Sequence, residues 1–231
     1  MVSMVARLSR RALVLVLICA YLCISAAKVS SQGLPVARPQ SVGMDPDKLN
    51  QIDALVQQDI LDKKLPGAVV LVGHKGKIVF RKAYGNRSLV PTVEPMTVDT
   101  IFDLASLTKV VATTTSIMIL IERGKLRLSD TIGKYIPEIQ DEQVKRVTIQ
   151  QLMTHTSGFA PDFDLKEKWT GREGMLQALY KEKLRNPAGV RFVYSDINYI
   201  TLGEILNRIS GMSLNGFAKR EVFSKLGDYH T

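Results

Sequence analysis

The sequence predicts an α+β fold with an antiparallel sheet that is incomplete at the C-terminus. A helical pattern over 46–60 comes first, two strand patterns follow within 67–85, and the rest of the chain is mostly helical in pattern. A two-stranded hairpin is only marginally stable on its own, so further strands are needed to complete such a sheet. With 231 residues and 45% hydrophobic content, the chain can bury the core of one domain or of two small ones.

The first three elements have clear boundary signals. Asp45 is suited to cap a helix that has Pro46 at its first position. The stretch 67–85 reads as two β-strands joined by a turn at 74–76. Apolar residues recur with helical spacing after Pro46 and are expected to form one face: Leu49, Ile52, Leu55, Val56 and Ile60.

The stretch 104–121 predicts a buried helix that Gly124 ends, because nearly all of its residues are apolar or small hydroxyl residues. A second amphipathic helix is predicted over 197–211, and Gly211 stops it.

Three further helix starts carry capping signals. Thr148 and Gln151 form a capping-box pattern, and Thr170 and Glu173 form another. Ser213 is placed to cap the helix that follows Gly211.

An export signal is predicted over residues 1–27. It combines a basic start, an apolar run over 12–24 and a small-residue cleavage site at 25–27. A signal anchor is the alternative, but the apolar run is short and polar residues follow it. The chain is therefore divided into a signal peptide (1–27), a linker (28–44) and one domain (45–231). The protein is expected to be secreted or periplasmic and to have no stable membrane span after signal removal.

Charge and cysteine content exclude several function classes. Removal of the predicted signal, which holds three arginines and no acidic residue, lowers the formal charge from +9 to +6. The remaining basic residues alternate with acidic ones, so no nucleic-acid-binding stripe is predicted. Cys19 and Cys23 both lie in the signal, which leaves the rest of the chain without a disulfide, a thiol nucleophile or a thiolate metal site.

Ser106 and Lys109 form a candidate nucleophilic pair in the stretch "SLTK". Residues three apart share a helix face, which brings the serine hydroxyl and the lysine amine within hydrogen-bond reach. Burial at the positive end of a helix is expected to lower the pKa of Lys109, so that it can accept the serine proton. Free N–H groups of the first turn would stabilise an oxyanion. The alternative is a structural one, with Ser106 as helix cap and Lys109 reaching past apolar neighbours to solvent.

Tyr194 lies between a strand-like stretch and a helix, in "VYSD". Taken alone, it is equally consistent with a core tyrosine whose hydroxyl is satisfied. His74, His155 and His230 are far apart and lack metal-ligand spacing, so no metal site is predicted, and His155 is interpreted as structural.

The two stretches "SLTK" and "YSD" together resemble the first two motifs of the serine β-lactamase and penicillin-binding-protein superfamily, in its class C-like branch. The resemblance extends to "VTIQQLMTHTSGF", "PAGVRFVYSDINYITLGEILNRISGMS" and "VFSKLGDYHT", and covers about residues 45–231. It implies a sheet flanked by helices, a helical region beside it and no cofactor.

The resemblance also implies residue roles. Ser106 is the nucleophile, Lys109 is the base partner that activates it, and Tyr194 shuttles protons between nucleophile, lysine and leaving group. Asp196 stands where most members have an asparagine that contacts lysine and substrate. An aspartate is expected to favour the charged form of Lys109 and to repel substrate carboxylates, unless it simply caps the next helix.

The superfamily's third motif, a Lys/His-Ser/Thr-Gly strand, is absent after Tyr194. The stretch "WTG" at 169–171 precedes Tyr194 and is therefore set aside. We interpret the chain as an N-terminal part of a longer gene product or as a degenerate member.

Two function classes remain open at this point. One is an exported serine hydrolase that acts through an acyl-enzyme on a small-molecule ester, lactam or D-amino-acid peptide. The other is a non-catalytic penicillin-binding or sensor protein.

Overall fold

The computed structural model describes residues 33–164, 166 and 168–227. The predicted signal peptide lies outside these residues, as do residues 28–32 of the predicted linker and the last four residues. The chain divides into two compact units, the first ending at Thr100 and the second beginning at Ile101. In the described ranges, no helix has the length and apolar character needed to span a membrane.

The first unit is a small antiparallel sheet with one long helix. The helix α1 spans Pro46–Leu61. The strands are β1 (Gly67–His74), β2 (Lys77–Ser88) and β3 (Glu94–Pro95), and they pair in the order β1-β2-β3. The short β3 was not predicted from the sequence. The predicted cap of α1 is confirmed, because Asp45 accepts a hydrogen bond from the Asp47 N–H at 2.9 Å. Leu55 was wrongly placed on the buried face, since its side chain is exposed.

The described part of the predicted linker packs within this first unit. The Ala37 N–H donates to the Ile78 carbonyl at 2.9 Å, and the Ile78 N–H donates to the Pro35 carbonyl at 2.8 Å. Val42, at the end of a short 3₁₀ helix over Pro39–Val42, is buried in the same small core as Leu49. Residues 35–44 are therefore attached to the sheet and are not a free connector.

The second unit is helical. A π-helical segment over Lys109–Thr114 leads directly into α2 (Thr115–Glu122), and a second π-helical segment over Lys219–Phe223 precedes the last helix. The largest core of this unit is built from buried aliphatic and phenylalanine side chains of the helices and their connections. The remaining helices are α3 to α9: Ile132–Tyr135, Glu142–Lys145, Ile149–Met153, Gly171–Lys181, Asp196–Ser210, Leu214–Ala218 and Ser224–Leu226.

The helix boundaries confirm two of the three predicted capping signals. Thr148 and Gln151 form the reciprocal capping box at the start of α5, and Ser213 caps α8 through the Gly216 N–H at 3.1 Å. The predicted box at Thr170 is wrong, because the Thr170 side chain makes no cap bond and Glu173 instead accepts from the Gln177 side chain at 3.0 Å. That i,i+4 contact competes for the carboxylate that the box requires.

The stretch that begins at 104 is only partly buried, contrary to the prediction. Thr113, Ile117 and Leu120 are buried, whereas Leu107 and Val110 are each 60% exposed. An apolar sequence shows that a helix has surface to bury, but not which neighbour covers each side of it.

A buried carboxylate on α7 joins several elements of the second unit. Glu204, whose side chain is 4% exposed, pairs with Arg172 of α6 and with Arg208, whose Nε lies 2.7 Å from it. Arg208 also contacts Glu138 at 2.8 Å and donates to the Tyr180 hydroxyl at 2.9 Å. The network fixes α7 against α6 and against the segment that follows α3.

We predict that Glu204→Gln lowers the free energy of unfolding by about 2–3 kcal/mol, because it leaves two arginines without their shared buried carboxylate. Glu142→Gln is the matched control: Glu142 pairs with Lys145 at the surface, where such pairs contribute little. Chemical denaturation of both variants measures the difference. Equal stability of the two variants would contradict the importance of the Glu204 network.

Candidate active site

Ser106 lies in a tight turn that leads into the π-helical segment. The Ala105 backbone has a positive φ of 44°, and its N–H donates to the Asp103 carboxylate at 2.8 Å. Helical backbone begins at Leu107, directly after Ser106. The Ser106 Oγ accepts from Lys109 Nζ, and among the described hydrogen bonds it accepts from no helix N–H, so Ser106 does not act as a helix cap. The Ser106 side chain remains exposed.

The first turn offers fewer free N–H groups than the sequence suggested. The N–H groups of Leu107, Thr108 and Lys109 donate to carbonyls three residues earlier, at 2.9–3.1 Å. These tight bonds consume donors that a regular helix start leaves free. Among the described contacts, the Ser106 N–H has no acceptor and is the donor left to stabilise an oxyanion.

Lys109 connects the candidate residues. Its Nζ lies 3.3 Å from Ser106 Oγ and 2.7 Å from Asp196 Oδ1. The same ammonium lies 5.2 Å from the centre of the Tyr194 ring. The Lys109 side chain is 16% exposed. The structure thus brings together all four residues that the sequence singled out: Ser106, Lys109, Tyr194 and Asp196.

The expected low pKa of Lys109 is wrong. Burial lowers the pKa of Lys109, but hydrogen bonds and charge interactions with Asp196 and Tyr194 outweigh burial and raise it above its ordinary value. An anion at 2.7 Å stabilises the ammonium directly. The separate expectation that Asp196 favours the charged lysine is confirmed.

Tyr194 has the opposite shift. Hydrogen bonds to Ser106 and Lys109 lower the pKa of its phenol, and the positive charge of Lys109 acts in the same direction. The side chain is 46% exposed, in keeping with a group that solvent and ligands can reach. Tyr194 is therefore not a core tyrosine.

Asp196 is the first residue of α7, one position earlier than the predicted helix start. Its carboxylate faces Lys109, and the described contacts include no bond from it to a free N–H of the helix. The capping role considered for Asp196 therefore does not apply. Its side chain is 47% exposed and stays open to a ligand from the other side.

Two hydrogen bonds and the ring of one histidine fix the segment before α7 in position. Asp196 N–H donates to the Pro161 carbonyl at 2.7 Å, and the Ser195 hydroxyl donates to the Ala160 carbonyl at 2.5 Å. The ring of His155 lies against Tyr194, with ring centres 4.5 Å apart. The sequence suggested a structural role for His155, and only the spatial arrangement shows that it contacts a candidate catalytic residue.

A cavity of about 810 Å³ opens beside Lys109 and Asp196. Apolar side chains of Met175, Ile200 and Leu214 form much of its wall. Such a volume accommodates a small organic ligand beside Lys109 and Asp196, whereas Ser106 and Tyr194 do not line this cavity. Within the described ranges, no three His, Cys, Asp or Glu residues are grouped so as to hold a metal ion.

The arrangement of a serine, a lysine and a tyrosine on a helical unit is typical of the β-lactamase and transpeptidase fold. Two solved structures with this fold are similar to the chain. One is the octameric penicillin-binding protein homologue of Pyrococcus abyssi, with a TM-score of 0.67, 26% identity and coverage of 78% of this chain and 43% of that one. The other is a class C β-lactamase, with a TM-score of 0.68, 28% identity and coverage of 81% and 52%.

The family model described as Beta-lactamase matches residues 52–231, so the chain belongs to the beta-lactamase family. A Salmonella enteritidis protein assigned as a D-alanyl-D-alanine carboxypeptidase is 30% identical over 227 residues, which cover 90% of this chain and 52% of the relative. The chain thus spans about half the length of the curated relatives that it matches.

We predict that Asp196→Asn lowers the pKa of Lys109, because it removes the anion that stabilises the ammonium while burial remains. NMR titration of the lysine Nζ and Cε resonances measures the shift. Lys64, whose pKa is raised by hydrogen bonds to Asp59 and Asp62, serves as an internal reference and should not move. An unchanged Lys109 titration would contradict the ion pair.

Proposed function

We propose that this protein is an exported serine hydrolase that forms an acyl-enzyme at Ser106 on ester, amide or lactam substrates. The observation that carries the proposal is the position of the Lys109 ammonium, which contacts the Ser106 hydroxyl and the Asp196 carboxylate and lies beside Tyr194. Membership of the beta-lactamase family supports the same chemistry.

Tyr194 is the group best suited to accept the serine proton. The pKa of Tyr194 is lowered, so its phenol loses a proton more readily than an ordinary tyrosine does. The pKa of Lys109 is raised, so its ammonium loses a proton less readily than an ordinary lysine does. Lys109 then acts as a fixed cation that stabilises the phenolate. This reassigns the base role from Lys109, as the motif alone suggested, to the Tyr194–Lys109 pair.

In the acylation step, Ser106 Oγ attacks the substrate carbonyl carbon and its proton passes to Tyr194. The Ser106 N–H is placed to donate to the oxyanion that forms. Collapse of this intermediate breaks the bond to the leaving group, which takes the proton from Tyr194. In the second step a water molecule attacks the ester, Tyr194 accepts a water proton, and Ser106 regains its hydrogen.

The substrate class is argued from Asp196 and from the relatives. A carboxylate beside the nucleophile repels the carboxylate of a β-lactam or of a peptide C-terminus, which favours neutral ester-like substrates. The relative assigned as a D-alanyl-D-alanine carboxypeptidase and the β-lactamase structures point instead to peptide and lactam substrates. We propose neutral esters as the preferred class, with a predicted signal at 1–27 that directs the protein to the periplasm or exterior.

A second candidate is a non-catalytic penicillin-binding or sensor protein that forms a stable acyl-serine. The Lys109–Asp196 ion pair favours it, because a lysine held as ammonium cannot itself activate the deacylating water. The two candidates share acylation of Ser106 and differ in turnover.

We predict that a fluorophosphonate probe labels the protein at Ser106, because the probe requires an activated serine oxygen. Peptide mapping by mass spectrometry locates the label. Ser106→Ala should remove it, and Lys109→Met and Tyr194→Phe should slow it by on the order of 100-fold or more, as expected for general acid–base partners. Ser41→Ala is the matched control, since the exposed Ser41 hydroxyl donates to the Arg38 carbonyl and does not line the cavity. Labelling that persists in Ser106→Ala would refute the nucleophile.

The substrate class is tested with wild type and Asp196→Asn on a nitrophenyl ester, a chromogenic cephalosporin and a D-Ala-D-Ala peptide. The variant should gain lactam acylation relative to ester turnover, because an amide removes the repulsion and adds an N–H donor. Wild type that hydrolyses the cephalosporin faster than the ester would contradict the argument from Asp196. Burst labelling without turnover of any substrate would instead favour the sensor candidate.

A further inference from the structure

His155 ends helix α5 in an unusual backbone conformation. It has a positive φ of 56°, and its N–H donates to the Leu152 carbonyl while the Thr156 N–H donates to the Gln151 carbonyl. This pair of bonds is a Schellman motif, whose left-handed position glycine or asparagine usually fills. A histidine is accommodated there less readily than glycine, so the helix end by itself does not require this side chain.

The hydrogen bonds of His155 fall on both sides of Tyr194. The His155 carbonyl accepts from the Val193 N–H at 2.8 Å, and its Nδ1 accepts from the Ser195 N–H at 3.1 Å. Since a backbone N–H can only donate, Nδ1 carries no proton, and the Asn198 amide at 3.1 Å donates to the same nitrogen. One residue thereby fixes the backbone directly before and directly after Tyr194.

The imidazole also packs on the tyrosine itself. Its ring centre lies 4.5 Å from that of Tyr194, 5.2 Å from that of Tyr199 and 5.9 Å from that of Phe192. His155 is buried, whereas Tyr194 is half exposed. The buried ring therefore provides the rigid face against which the exposed phenol rests.

We propose that His155 is a positioning residue: its neutral imidazole, through Nδ1 and its ring face, holds the Tyr194 phenol at Ser106 and Lys109. This inference rests on the proposed function, because it assigns the purpose of the contact to the proton transfer at Tyr194. The contact itself can be tested without turnover.

The neutral state of His155 is part of the role. Protonation would turn Nδ1 into a donor that faces two other donors, so both bonds to it would be lost. Burial lowers the pKa of His155 and the Lys109 charge lowers it further, while the Asp196 charge raises it. The charged groups that act on the ring are thus Lys109 and Asp196, and the titratable groups in contact with it are the phenols of Tyr194 and Tyr199.

The sign of the pH effect follows from that shift. Because its folded-state pKa lies below the ordinary value of 6.5, His155 stays neutral in the folded protein at pH values where the unfolded chain has begun to take up a proton. Its contribution to stability is complete above pH 6.5 and declines as the pH falls below it. We expect the Ser106 labelling rate to decline only at lower pH, where the imidazole of the folded protein itself takes up a proton and the bonds to Nδ1 are lost.

Two substitutions separate positioning from helix termination. His155→Gly keeps and eases the left-handed conformation but removes Nδ1 and the ring. His155→Asn also tolerates that conformation, and its side-chain oxygen can take the place of Nδ1 as acceptor. Three measurements are made on each full-length variant: thermal unfolding, the pKa of Tyr194 by ultraviolet titration against a Tyr194→Phe background, and the pH profile of fluorophosphonate labelling.

We expect His155→Gly to fold but to unfold at a lower temperature, because it loses the buried ring and the bonds to Nδ1, with a Tyr194 pKa that rises toward its ordinary value and labelling slowed by on the order of 100-fold. His155→Asn should retain the lowered Tyr194 pKa and most of the labelling rate, and should lose the part of the acidic decline that comes from protonation of the imidazole. The titration of Tyr194 needs no turnover, so it remains informative if wild type does not label.

The inference is overturned if the Tyr194 pKa is the same in wild type and both variants, or if His155→Asn behaves like His155→Gly while folded. Should His155→Gly fail to fold, the result for His155→Asn decides alone: loss of the low Tyr194 pKa overturns the inference and its retention supports it. Failure of the proposed function gives a different pattern, in which Ser106 is unreactive throughout while the Tyr194 pKa still responds to His155.

Discussion

The contact between Lys109 and Asp196 is the constraint on which the candidate site depends. It joins the start of the π-helical segment to the start of α7, two elements far apart in the sequence. A lysine and a carboxylate 2.7 Å apart, with the lysine largely buried, keep their charges only while both elements hold their positions. Other features of the second unit serve this alignment, including the Glu204 network that fixes α7 from its middle.

The same contact divides the chemical roles between neighbouring groups. The raised pKa of Lys109 and the lowered pKa of Tyr194 suit the proposed pair, in which the lysine remains the cation and the phenol exchanges protons. Environment, rather than residue type, makes this division, since the ordinary pKa values of lysine and tyrosine are close. The aspartate at position 196 is thus as influential on the chemistry as the residues that take part in it.

Much of the local structure could be predicted from the sequence, as could the four candidate site residues that the structure brings together. The caps at Asp45, Thr148 and Ser213 depend on residues within one turn, and the spacing of Ser106 and Lys109 is itself a local property. The pKa of Lys109 could not be predicted from its own helix, because the deciding anion comes from α7. The exposure of Leu107 likewise depends on distant neighbours, and the role of His155 appears only when its contacts with the residues around Tyr194 are known.

The left-handed backbone at His155 restricts which side chains can ever face Tyr194 from that position. Branched and bulky residues are disfavoured there before any question of chemistry arises, and glycine, asparagine and aspartate are the other side chains that fit readily. Substitutions at position 155 are thus limited first by the backbone conformation and only then by their effect on activity. Few alternatives are open at position 155, so adjustment of the Tyr194 environment must come mainly from other positions around the ring.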